Sequence, residues 1–230
     1  MRSCAFTATL CAFVLLAGCG VSNKQVIRMQ KMEEKVGSPT TITELTDAIE
    51  KYKERVADIQ LAQSQIGIWY KILGSRYMDK KMYGEALKTF QAAIDYYPDN
   101  QNLFYYVGIC AGYMAHAALD YDATGTSSKR MNYLKLAESA YLRAIAIEER
   151  YARALYAIGV LYIYELNESE KAIPYLERFV AIETRDTDGM MLLARAYYSN
   201  YEFDKAIELY DKIIAISKSA QKRTLAFLAF

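Results

Sequence analysis

The chain has 230 residues, 53% apolar and 24% charged, a balance that excludes a disordered chain and suits one large domain or a short helical array. Its 28 basic and 27 acidic residues nearly cancel, which gives no electrostatic reason to expect nucleic acid, whose phosphates demand a concentrated basic face. Three prolines and eleven glycines leave few breaks, favouring helices with short turns over a many-turned sheet, while tyrosine is in excess at 21 residues.

Residues 1–18 read as an export signal. Arg2 supplies its single charge, and Ala5 to Leu16 is a mostly apolar run too short to span a membrane as a mature helix. The run ends in Leu16-Ala17-Gly18-Cys19, small residues before a cleavage point and then a cysteine. These four residues resemble the lipobox of bacterial lipoproteins at every position. The resemblance implies cleavage before Cys19, a diacylglyceryl group on its sulfur and an acyl chain on its amine. Several acyl chains make a stable anchor where one alone is marginal. It also implies a lipid-anchored, periplasm-facing place in the bacterial cell envelope, on either membrane. Cys4 and Cys11 leave with the signal, so Cys110 is expected to be the one free thiol, with no internal disulfide.

Residues 19–40 are polar after the cysteine, with Gly37-Ser38-Pro39 near the end, and read as a tether. Thr41 and Glu44 have the spacing of a capping box, which predicts a helix start. From there Ile42, Leu45, Ile49, Tyr52, Val56 and Ile59 recur at three- and four-residue steps. That spacing predicts an amphipathic N-terminal helix over residues 41–66, similar to the second helix of a repeat without a first.

Self-similarity begins next. Tyr70, Leu73, Gly74, Tyr77, Ala86, Phe90, Ala93 and Pro98 stand at the offsets of the tetratricopeptide repeat, a unit of about 34 residues. The resemblance implies a helix–turn–helix unit in which Gly74 and Ala86 let helices A and B cross closely, Tyr77 and Phe90 fill between them, and Pro98 ends helix B. A second unit shows Phe104, Val107 and Gly108, then Ala137, Tyr141 and Ala144, with about 17 surplus residues between Ala111 and Ala137. A third shows Leu155, Ile158, Gly159 and Tyr162, then Ala172 and Leu176, with one extra residue assigned to its turn. A fourth shows Met190, Leu193, Ala194, Tyr197, Ala206 and Tyr210 without gaps.

The expected fold is therefore all-α, a tetratricopeptide helical-hairpin solenoid of three to four repeats over residues 67–218, with a helical insertion at 112–136 and a helical tail at 219–230. In the insertion, Ala115, Ala118 and Leu119 extend helix A, and Met131 and Leu134 extend helix B backward. Only Asp122 to Ser128 has loop composition, with Ser127 or Ser128 placed to cap. Two sites strain the pattern. Pro174 falls inside a helix expected to begin near Asn167, predicting a kink or a late start. The final Leu225 to Phe230 is apolar where a terminal repeat is normally polar.

Chemistry is sparse. His116 is the lone histidine, Cys110 lies in an apolar helix, and no phosphate loop or metal-ligand spacing occurs, so neither catalysis nor a metal nor any cofactor beyond the lipid at Cys19 is expected. The repeat resemblance implies a concave wall made by five helix A positions of each unit. In this chain the wall holds Lys71 and Met78, then Asn102, Tyr105, Ile109 and Tyr113, then Arg153, Tyr156, Val160, Ile163 and Tyr164, then Met191, Arg195 and Tyr198. Tyrosine and arginine are typical of recognition surfaces. The cations Lys71 and Arg153 match part of a carboxylate clamp used by some of these repeats. Ser75, Tyr106 and Ala157 stand where its other members belong, so that specificity is not implied.

The expected function is that of a membrane-anchored scaffold holding a protein or peptide partner in the cell envelope. A ligand-handling accessory lipoprotein of a solute transporter, similar to the component paired with some substrate-binding proteins, would instead place a small apolar or carboxylated ligand in the groove. An outer-membrane or pilus assembly lipoprotein is the third reading.

Overall fold

The computed structural model describes residues 41–118 and 128–216. The expected signal peptide, Cys19 with its tether, residues 119–127 of the insertion and the tail at 219–230 lie outside the described residues. Contacts divide the chain after Gln60 into two compact units.

In the first unit the capping box forms as its residue types dictate. The Thr41 N–H donates to Glu44 Oε2 at 3.1 Å, and the Glu44 N–H donates to Thr41 Oγ1 at 3.2 Å. They open helix α1, Ile42–Asp79, which runs 38 residues without a break. The expected boundary between residues 66 and 67 is absent, because no proline occurs there and one interior glycine costs only about 1 kcal/mol. Gly67 serves a different purpose. A β-carbon there would lie 2.5 Å from the Tyr97 ring and 2.7 Å from Tyr96 Cβ, so its smallness admits the Tyr97 ring and the start of the Tyr96 side chain.

The second unit is a succession of antiparallel helix pairs. The end of α1 pairs with α2 (Tyr83–Ile94), α3 (Gln101–Ala117) with α4 (Ser128–Ile147), α5 (Ala152–Val160) with α6 (Ser169–Ile182), and α7 (Thr187–Ser199) with α8 (Phe203–Ile216). No strand occurs among the described residues. From α2 onward each helix packs on the next, and α5 also touches α7, so those two first helices lie side by side. Asn100 caps α3 by accepting from the Asn102 N–H at 3.1 Å, and Asp186 caps α7 by accepting from the Gly189 N–H at 2.7 Å.

Glycine sets the crossing of the first three pairs, as the repeat spacing predicts. A β-carbon would come within 2.8 Å of the Phe90 ring at Gly74, 2.3 Å of Tyr141 at Gly108, and 2.4 Å of Leu176 at Gly159. Two apolar cores result. One gathers Phe90, Leu103, Val107 and Cys110 between the first two repeats. The larger runs from Ala111 and Leu134 through Leu155, Ile158 and Leu176 to Ile213.

The three described turns between paired helices are nearly alike. Lys81, Asn167 and Tyr201 each adopt positive φ, at 59°, 55° and 64°. The next residue then donates back to a core tyrosine carbonyl: Met82 to Tyr77 at 2.9 Å, Glu168 to Tyr162 at 2.8 Å, and Glu202 to Tyr197 at 3.0 Å. The first and last of these bonds span five residues, the middle one six. The extra residue of the third repeat is found at this point, and it is not in the turn. It widens the end of the first helix into a π turn, Leu161–Glu165, with Leu166 N–H donating to Leu161 O at 3.1 Å.

The described flanks of the insertion are helical and packed, with Ala111, Ala115, Leu134 and Ala137 fully buried. Helix α3 has 17 residues and α4 has 20, against 13 and 14 in α7 and α8. Each is lengthened by between one turn and two. Pro174 lies within α6, which starts at Ser169, two residues later than the sequence suggests, and continues to Ile182.

A tyrosine and arginine wall on the first helices

The wall residues separate into those that neighbouring rings cover and those left open. Asn102, Tyr105 and Arg153 come together near the starts of α3 and α5, with Tyr151 as an addition the sequence pattern missed. Tyr151 donates its hydroxyl to Asn102 Oδ1 at 2.8 Å, and its ring meets Tyr105 edge-on, centroids 5.8 Å apart. Burial raises the Tyr105 hydroxyl above the usual tyrosine value, and the Arg153 guanidinium acts against that rise. Tyr151 follows the same rule, raised by burial with Arg153 opposing. Tyr105 also leans on Tyr106 and on buried Tyr141, so half of its ring is structural.

Tyr156 packs against Phe179 with centroids 5.2 Å apart and is likewise half-buried. Tyr113 is exposed but stacks flat on Tyr83, centroids 4.0 Å apart and planes 8° from parallel. Met191 is partly buried against the larger core. Lys71 is exposed. Ile163 does not belong to the wall: it is 7% exposed, inside the core. The π turn is the reason, since the added residue rotates Tyr164 outward and Ile163 inward.

Tyr164 and Tyr198 are the most open aromatics of the wall, 54% and 55% exposed. The Arg195 guanidinium lies over the Tyr164 ring at 4.8 Å from its centroid, a cation–π contact that holds both side chains out from the helices. Tyr198 and Arg195 both bear on the Tyr210 hydroxyl, whose value burial raises first, with Tyr198 adding and Arg195 opposing. Tyr198 meets Phe203 edge-on at 5.3 Å. An open tyrosine, a guanidinium stacked on a ring and a second tyrosine form a surface able to take an apolar side chain and an anionic group together.

Cys110 is no candidate nucleophile. It is fully buried, and burial pushes its thiol up to about 12, where the reactive thiolate is scarce. His116 Nε2 stands 3.2 Å from Glu165 Oε1, whose other oxygen takes Arg130 at 2.6 Å. These three tie the base of the insertion to the π turn.

Stacked helix pairs with small residues at each crossing define a helical-repeat scaffold. Profiles of the tetratricopeptide repeat match residues 68–100, 152–185 and 190–224, so the chain carries tetratricopeptide repeats over those stretches. The matches pass over 101–151, the unit with the insertion. A TPR repeat-containing protein of Borreliella burgdorferi is 24% identical over 203 residues, 86% of each chain. Among solved structures, a thermophilic TPR protein of Thermus thermophilus has a TM-score of 0.55 at 21% identity, over 70% of this chain and 79% of that one. YrrB, described as a TPR protein with an unusual peptide-binding site, has a TM-score of 0.54 at 21% identity, over 87% and 96%. These likenesses establish the fold.

Proposed function

We propose that this chain is a lipid-anchored scaffold of the bacterial cell envelope that holds an extended segment of a partner protein against its tyrosine and arginine wall. The observation that carries the binding half is the open group Tyr164, Arg195 and Tyr198, where large side chains stand solvent-exposed although apolar core lies directly beneath them. Such rings lose little side-chain entropy when a partner covers them, and a stacked guanidinium supplies a directed charge. Arg153, beside Tyr105 and Tyr151, offers a second cationic point for the same segment. The anchoring half rests on Leu16-Ala17-Gly18-Cys19. The partner segment this chemistry selects carries an aromatic or aliphatic side chain near a carboxylate.

Two experiments test the halves separately. For binding, a photo-crosslinking amino acid is placed at Tyr164, at Tyr198 and, as control, at Lys88 on the exposed face of α2. Adducts at 164 and 198 to one common protein, lost on Arg195→Glu, support the reading. Absence of adducts, or equal adducts at 88, would remove the wall from consideration. For anchoring, Cys19→Ser should release the chain from the membrane fraction. A variant that is processed normally and stays in that fraction shows that Cys19 is not the anchor.

A further inference from the structure

The first part of α1 carries an apolar stripe that neither core uses. Ile42 is 85% exposed, and Leu45, Ile49, Tyr52, Val56 and Ile59 lie between 38% and 55%. None of the six belongs to either apolar core. Their steps are three, four, three, four and three residues, the alternation of a heptad seam. In that register Ile42, Ile49 and Val56 take the a positions, while Leu45, Tyr52 and Ile59 take d. The outer positions are polar, with Thr43, Glu44, Asp47, Glu50, Lys51, Glu54 and Asp58. A shallow groove of about 480 Å³ runs along the stripe, with Ala48, Lys53, Ala57 and Gln60 as its edges.

The stripe differs from the first-helix faces that pack within the repeats. Those faces carry a small residue at the crossing, Gly74, Gly108, Gly159 or Ala194. The stripe has only branched or aromatic side chains along its centre, which suits knobs packing into holes between nearly parallel helices.

The geometry points to a second copy of this chain, docked through residues 42–59 of α1 as a parallel, in-register two-stranded coiled coil. Three observations select that occupant. β-Branched residues fill all three a positions with Leu45 at the first d position, the pairing that favours two parallel strands, and Tyr52 and Ile59 complete the d positions. The flanking charges are compatible with self-pairing: in parallel register Lys53 faces Ala48 of the other copy, and Arg55 faces Gln60. Each cation also keeps an anchor on its own helix, Lys53 with Glu50 at 3.2 Å and Arg55 over the Tyr52 ring at 5.5 Å. Finally, the six exposed side chains offer on the order of 600 Å² per chain, close to the ~800 Å² per partner of a standard specific interface once the edge residues are added.

The test uses the full chain solubilised in mild detergent. Light scattering should give twice the chain mass at micromolar concentration, falling to the single mass in the double variant Ile49→Lys, Val56→Lys. That variant should keep its thermal transition, since neither residue belongs to a core. Orientation is read by single cysteines under mild oxidation, against the unsubstituted chain as baseline. Ile49→Cys and Val56→Cys should each crosslink to their own copy, and Asp47→Cys on the outer face should not. A monomer mass overturns the proposal, as does a dimer indifferent to the two lysines. Crosslinking seen only between a 49 chain and a mixed-in 52 chain would show antiparallel pairing, and equal crosslinking at 47 would show collision, either of which also overturns it.

Discussion

The third and fourth repeats solve one packing problem with chains of different length. In each, a core tyrosine reaches back to a glutamate of the preceding second helix: Tyr162 to Glu138 at 2.8 Å, Tyr197 to Glu177 at 2.6 Å. In each, a lysine lies over that tyrosine ring while pairing with the glutamate that opens its helix: Lys171 with Glu168, Lys205 with Glu202. The fourth repeat does this with no residue to spare. The third has one extra, and the structure preserves the tyrosine, the lysine and the turn by widening the helix end that carries the tyrosine. Inter-repeat contacts thus outrank helical regularity, because one stretched turn costs less than a displaced core tyrosine. The residue following the core tyrosine tells the two apart: exposed Tyr198 in the fourth, buried Ile163 in the third.

The largest effect expected from breaking this pair is at the crossing. Gly159→Leu forces a side chain into Leu176, an overpacking cost of about 1–3 kcal/mol or more. At this chain length that is a fall of roughly 2–12 °C in melting temperature. The equivalent position of the fourth repeat already accepts a β-carbon, and Ala194→Gly should cost only about 0.5–1 kcal/mol. Equal losses at the two positions would show that the crossings are not built differently.

Next come the tyrosine hydroxyls. Burial is the first cause that raises Tyr162 and Tyr197, and their glutamate partners add to it. A folded value above the unfolded one of about 10 means that the stabilisation is complete below pH 10 and is lost as pH climbs through the folded value. Stability should therefore decline above pH 10. The pair Tyr162→Phe, Tyr197→Phe should lose about 1 kcal/mol per hydrogen bond at pH 7 and show a flatter alkaline decline. Chemical denaturation at pH 7 and pH 10.5 measures both, and an unchanged alkaline slope would place the titrating groups elsewhere.

A smaller effect is expected from deleting Tyr164. The third turn should then close over five residues as the fourth does, with helical content by circular dichroism unchanged and stability within about 1 kcal/mol. Collapse of the fold would mean that the π turn is itself required. The smallest change is Arg195→Ala, which removes an exposed cation–π contact worth about 0.5–1 kcal/mol. Its melting temperature should barely move, while crosslinking at Tyr198 should fall.

The repeat fold was legible because its determinants are local and spaced. Gly74 and Phe90 lie sixteen residues apart and meet, and Thr41 with Glu44 cap as their spacing requires. The continuous α1 was not legible, since Gly67 fits a helix boundary and a close approach equally well from sequence. Nor was the π turn, because an added residue leaves the same pattern whether it lies in the turn or the helix. The wall was half legible. Repeat positions identify the face that Tyr105, Tyr113 and Tyr156 occupy. They do not reveal that Tyr151, Tyr83 and Phe179, from neighbouring elements, lie against those rings.

Cys110 gives the solenoid a built-in clock. It is the free cysteine among the described residues, and it belongs to the core between the first two repeats and not to the larger one beyond. A thiol reagent in excess can label it only when α3 parts from its neighbours, so the labelling rate counts those openings. Because stability in a repeat array is a sum of nearest-neighbour terms, damage confined to the third and fourth repeats should leave that clock almost unchanged, and damage at Gly74 or Gly108 should make it run fast.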